Sequence, residues 1–144
     1  MRRTSSGIDL DQAARSAVTQ KQVLIADDSR SSRDLLRHIL QRCGLAIVEA
    51  SDGETALAQA ALCQPDLFIL DLNMPRVDGY GVATILRSRP AFQRTPILAL
   101  SAEVSQRDAH RIKQAGFSMY VSKPISPARL RDCVARLLNN PEGL

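Results

Sequence analysis

The sequence predicts an α/β domain, built as βα units in succession and closing into a doubly wound five-stranded parallel sheet. Three observations lead there. Short runs of Val, Ile, Leu and Ala alternate along the chain with apolar residues at helical spacing. The runs are apolar at consecutive positions, which requires cover on both faces of each strand. The connections between them are short, as right-handed βα crossovers demand. The 144 residues are enough for one domain with a full core.

Residues 1–20 stand apart from this rhythm. They are rich in Ser, Arg and Ala, with Leu10, Ala13, Ala14, Ala17 and Val18 on one helical face. Asp9 and Asp11 suit a helix start. The apolar side chains are small, so such a helix is marginal alone. Two readings stay open, a frayed extension or a dimerisation or docking helix. The domain proper is expected over 21–140, with 141–144 as a tail.

Val23 to Ala26 reads as the first strand. Leu36, Ile39, Leu40 and Cys43 then keep helical spacing, with Gly44 as the expected stop. Leu45 to Val48 is the second strand. After Asp52-Gly53 a helix carries Leu57, Ala60 and Ala61, and Pro65 ends it. Leu67 to Leu70 is the third strand, followed by a helix with Val82, Ile85 and Leu86 on one apolar face. Pro96 opens the fourth strand, Ile97 to Leu100. A weakly amphipathic helix spans about Val104 to Ala115. Met119 to Val121 is a short fifth strand, and Leu130, Val134, Leu137 and Leu138 mark the last helix.

Composition narrows the functional classes. Apolar residues make up 44% and charged residues 24%, the balance of a soluble globular chain. Aromatics are 3% with no Trp, so the core is aliphatic. The net charge of +4 comes from Arg dispersed among acids, which reads as a solvated surface. No basic cluster, aromatic platform or recognition motif points to nucleic acid. The three Cys are far apart and lack metal-ligand spacing, which suits reduced, buried or half-buried thiols. No apolar run approaches the ~20 residues that span a bilayer. The two N-terminal arginines precede no apolar signal core. A cytoplasmic location without membrane contact is expected. His38 and His110 fall on exposed helical positions.

In open α/β sheets, sites form at the carboxyl ends of the strands. Asp27 and Asp28 follow the first strand here, Asp71 the third, Ser101 the fourth and Lys123 the fifth. Singly, each has a plain structural explanation. An Asp can cap a helix, Ser101 can cap one starting near Glu103, and Lys123 can be a surface charge. Together they bring three acids, a hydroxyl and an ammonium to one sheet edge. Clustered carboxylates repel unless a cation intervenes, and a hard divalent cation such as Mg²⁺ takes oxygen ligands of this kind. Asp71 then suits a nucleophile on phosphorus. Ser101 and Lys123 suit the stabilisation of phosphoryl oxygens.

The stretches VLIADDS (23–29), LFILDLNMPRVDGYG (67–81), TPILALSAE (95–103) and GFSMYVSKPI (116–125) resemble the response-regulator receiver family of two-component signalling. The likeness covers about Gln22 to Asn139. It implies a flavodoxin-like fold with Asp71 as phospho-acceptor. It further implies Mg²⁺ or Mn²⁺ held by Asp28, Asp71 and the main-chain carbonyl of Asn73, with Asp27 linked through water. Lys123 and Ser101 take the phosphate-binding and switch-hydroxyl places, and Tyr120 that of the switch aromatic. Pro124 would follow a cis peptide, and Asn73 and Glu103 would tune dephosphorylation.

The resemblance also implies a histidine kinase or phosphotransfer protein as donor and a downstream protein as target. With the last helix ending near Leu138, no output domain is expected. A homodimer would use the face of the fourth helix, fifth strand and fifth helix, or residues 1–20. The acids that often precede strand five in receivers fused to DNA-binding domains are missing from Gly116-Phe117-Ser118-Met119. The wording of 95–102 and 120–125 is nearer to stand-alone receivers and those of hybrid kinases. Three alternatives remain: a hybrid-kinase receiver, an unphosphorylated scaffold, and a Mg²⁺-dependent aspartyl phosphatase. The last usually needs a second Asp two residues after the nucleophile, where this chain has Asn73.

Overall fold

A computed structural model describes residues 20–102 and 104–139. The N-terminal helical pattern, Glu103 and the tail lie outside the described residues. The elements run β1 (Gln22–Ala26), α1 (Arg30–Gln41), β2 (Ala46–Ala50), α2 (Gly53–Cys63), β3 (Leu67–Asp71) and α3 (Gly79–Ser88). A 3-10 turn (Pro90–Phe92), β4 (Ile97–Ser101), α4 (Gln106–Ala115), β5 (Met119–Ser122) and α5 (Pro127–Asn139) follow. The five strands form one parallel sheet in the order β2-β1-β3-β4-β5. This is the doubly wound, flavodoxin-like arrangement.

The period of two along each strand sorts the core into two layers. Leu24, Phe68, Leu70, Ile97 and Ala99 pack with residues of α2, α3 and α4 on one face. Val23, Ile25, Ile69, Leu98 and Leu100 pack with α1 and α5 on the other. Every residue of β3 and β4 is buried, as unbroken apolar runs predict. The chain leaves β1 outward to β2 and returns to β3 on the other side of β1. The carboxyl ends of β1 and β3 therefore flank the switch point.

Local chemistry corrects several element ends. Helix α1 stops at Gln41, ahead of Gly44, which adopts φ +81° in the turn beyond. Cys43 is carried off the apolar face and is exposed, whereas Cys63 is half-buried and Cys133 buried. The second strand begins at Ala46 and runs on to Ala50. On α2 the buried positions are Gly53, Ala56 and Ala60, so Ala61 faces out. Ser101 is the last residue of β4 and lies ahead of the helix start. The cap of α4 is Ser105: its hydroxyl accepts from the Asp108 N–H, and the Asp108 carboxylate accepts from the Ser105 N–H.

Candidate functional site

Asp27 leaves the end of β1 with its N–H donating to the Ala50 carbonyl at 3.1 Å. Its carboxylate accepts the Ser29 N–H at 2.9 Å and is 0% exposed. Ser29 caps α1, so the helix start and the acid are fixed together. Asp28 turns its side chain toward solvent. Asp71 ends β3, buried, with Oδ1 accepting the Asn73 N–H at 3.1 Å. The carboxylates of Asp27, Asp28 and Asp71 offer oxygens that all lie within 4.8 Å of one another.

Lys123 reaches these acids from the end of β5. Its Nζ lies 2.9 Å from Asp27 Oδ2 and 3.1 Å from Asp71 Oδ2. The lysine's own N–H donates to the Ser101 carbonyl at 2.7 Å, and the Lys123–Pro124 peptide is cis. Burial works against the ammonium, but its hydrogen bonds to Asp27 and Asp71 outweigh it and raise its pKa. Burial raises the Asp71 carboxyl too. Nearby Asp27 adds to the rise, and the Asn73 N–H and Lys123 oppose it. One ammonium thus faces two buried carboxylates with a third beside them. An all-oxygen donor set with surplus negative charge fits a hard divalent cation of the Mg²⁺ type.

Ser101 is buried one residue past Leu100, the register partner of Asp71. Asn73 is exposed on the loop after Asp71. Tyr120 sits on β5 opposite Ala99 and is 37% exposed. It borders a groove of about 620 Å³ lined by Ile112, Phe117 and Met119 among others. Asp27, Asp28, Asp71 and Lys123 are therefore brought together, with Ser101 and Asn73 on the adjoining strand end and loop. Tyr120 stands apart, turned outward.

Two supporting residues carried too little sequence signal. Gly79, read only as part of a turn, passes so close to the acid's backbone that an added Cβ would meet the Asp71 carbonyl and lie 2.8 Å from Leu72 Cα. Its N–H donates to the Leu72 carbonyl at 3.1 Å, closing the loop after Asp71. Arg33 donates to the Asp27 carbonyl at 2.7 Å. Among many arginines, nothing in the pattern singled it out.

The model of the response regulator receiver domain matches residues 23–135. The chain belongs to this family. Receiver domains of response regulators are signalling modules of two-component systems rather than conventional enzymes. The receiver is 36% identical over 122 residues to the alkaline phosphatase synthesis transcriptional regulatory protein PhoP of Bacillus subtilis, covering 85% of this chain and 50% of PhoP. It thus spans about half the length of that relative. The chemotaxis protein CheY4 of Vibrio cholerae superposes with a TM-score of 0.80 at 34% identity, over 83% of this chain and 100% of that one. The receiver domain of a Pseudomonas aeruginosa sensor histidine kinase, with magnesium coordinated in its active site cleft, gives 0.78 at 26% identity, over 84% and 99%. Among the described residues, no helix is long and apolar enough to cross a membrane.

Proposed function

We propose that Asp71 accepts a phosphoryl group from a histidine kinase or phosphotransfer protein in a Mg²⁺-dependent reaction, and that the phosphorylated face signals by binding a downstream protein. The observation that supports this most is the Lys123 ammonium held between Asp27 and Asp71 beside an exposed Asp28. Asp28, Asp71 and the Asn73 carbonyl would hold Mg²⁺ or Mn²⁺, with Asp27 joined through water. The cation supplies positive charge for phosphoryl oxygens.

The chain's own groups supply the rest. A carboxylate oxygen of Asp71 attacks phosphorus and forms an O–P bond. The P–N bond to the donor histidine breaks, and the imidazole nitrogen leaves with the bonding pair. The Lys123 ammonium moves from its carboxylate partners to a phosphoryl oxygen, and the Ser101 hydroxyl donates to another. Movement of Ser101 frees space for Tyr120 to turn inward. Asn73 and Glu103 would tune dephosphorylation. The added charge biases a two-state surface. The likeness to a sensor-kinase receiver supports one alternative wiring, a receiver within a hybrid kinase.

Intact mass after incubation with acetyl phosphate tests the reading. The expected result is the mass of one phosphoryl group gained with Mg²⁺ and lost with chelator. No gain under either condition defeats it, in favour of an unphosphorylated scaffold.

A further inference from the structure

Beside the acidic cleft, a chain of charged groups runs from the Asp27 backbone to the edge strand. Arg33, one turn into α1, sends Nη1 to the Asp27 carbonyl at 2.7 Å, while its Nε faces Glu49 of β2 at 3.4 Å. Glu49 is braced in turn by Arg37 at 2.8 Å, and Arg37 by Asp34 at 2.8 Å. The Arg33 side chain is 17% exposed, so the guanidinium is largely shielded from competing water. The Asp27 N–H is fixed separately, by the Ala50 carbonyl of the same edge strand.

The carbonyl that Arg33 grips belongs to the peptide joining Asp27 to Asp28. A peptide unit is planar, so fixing its oxygen fixes the plane from which the Asp28 backbone departs. Asp28 is the exposed acid of the three, and it has no such enclosure of its own. We propose that Arg33, braced by Glu49, is a positioning residue that aims the Asp28 carboxylate at the cation site. This rests on the reading of the acidic cluster as a divalent-cation site.

Two effects of Arg33 have opposite signs. As a positive charge near the cluster, it repels a cation, so its removal by charge alone tightens Mg²⁺ binding. As a positioning residue its removal weakens binding, because groups that orient metal ligands typically carry about 10- to 100-fold in affinity. The sign of the change separates a geometric role from a merely electrostatic one.

The test is titration of the full chain with Mg²⁺ alone, followed by NMR, on wild type, Arg33→Ala, Arg33→Lys and Arg136→Ala. Arg136 is exposed and pairs with Asp132 on α5, and serves as the control. The expected result is a dissociation constant raised about tenfold in Arg33→Ala and a few-fold in Arg33→Lys, with Arg136→Ala unchanged. The Asp27 carbonyl carbon should shift in the Mg²⁺-free state of both Arg33 variants. Arg33→Lys keeps the charge and loses the fork, so it decides the matter if Arg33→Ala does not fold. Unchanged or tighter Mg²⁺ binding in the folded Arg33 variants overturns the inference. Wild type that binds no Mg²⁺ instead overturns the cation site on which it rests.

Discussion

The Lys123 ammonium is hydrogen-bonded to two acids, one of them wholly buried. Removing it leaves Asp27 and Asp71 facing each other without a cation. Breaking a buried ion pair costs about 3–5 kcal/mol. Lys123 is 25% exposed, so solvent relieves part of that. Lys123→Ala should therefore lose about 2 kcal/mol in a urea titration at neutral pH with chelator present. Mg²⁺ should recover much of the loss, because it supplies the missing positive charge. Equal loss with and without Mg²⁺ would show that the cluster takes no cation. At this scale the sequence was informative where residue type and strand position coincide, as for Asp71 and Lys123. It was silent on Arg33, whose value lies in a backbone contact that any of several arginines could have made.

Among the elements, Arg87 of α3 ties the α3–β4 connection to the α4–β5 turn. Nε and Nη2 donate to the Gly116 carbonyl at 2.9 and 2.7 Å, and Nη1 to the Phe92 and Thr95 carbonyls at 2.7 and 2.6 Å. Burial lowers its pKa, and the guanidinium stays charged. Hydrogen bonds to charged groups contribute about 1.5–3 kcal/mol, so Arg87→Ala should lose about 3 kcal/mol in chemical denaturation. A loss below about 1 kcal/mol would mean that water replaces the arginine freely. Helix α4 offers a pH test. The Ser105 backbone N–H and then its hydroxyl hold the Asp108 carboxyl below its ordinary range. A depressed folded pKa gives stability that is present above the unfolded value near 4 and lost as pH falls through the folded one. The α4 amides should exchange faster as pH drops from about 5 to 2, relative to α1, and Asp108→Asn should remove that difference. The weak amphipathic pattern places the start of α4 near Val104, and the helix begins at Gln106 behind the Ser105 cap.

Over the whole molecule, two apolar layers hold the sheet from both sides and leave one end open for chemistry. The parallel, doubly covered sheet was legible because unbroken apolar runs are rare outside buried parallel strands. The outward pose of Tyr120 was not, since an aromatic on a short edge strand satisfies either rotamer. With beryllofluoride and Mg²⁺ in place of a phosphoryl group, the Tyr120 ring should leave solvent, and its ring protons should gain contacts to the β4 side of the sheet. Unchanged Tyr120 resonances would detach this ring from the switch.

Asp71 is proposed to carry the phosphoryl group. Its most direct test is hydroxylamine trapping after acetyl phosphate and Mg²⁺ treatment, with peptide mapping by mass. The expected result is a hydroxamate on the peptide carrying Asp71 in wild type and none anywhere in Asp71→Asn. A hydroxamate on Asp27 or Asp28 in wild type, or an adduct that persists in Asp71→Asn, would contradict it.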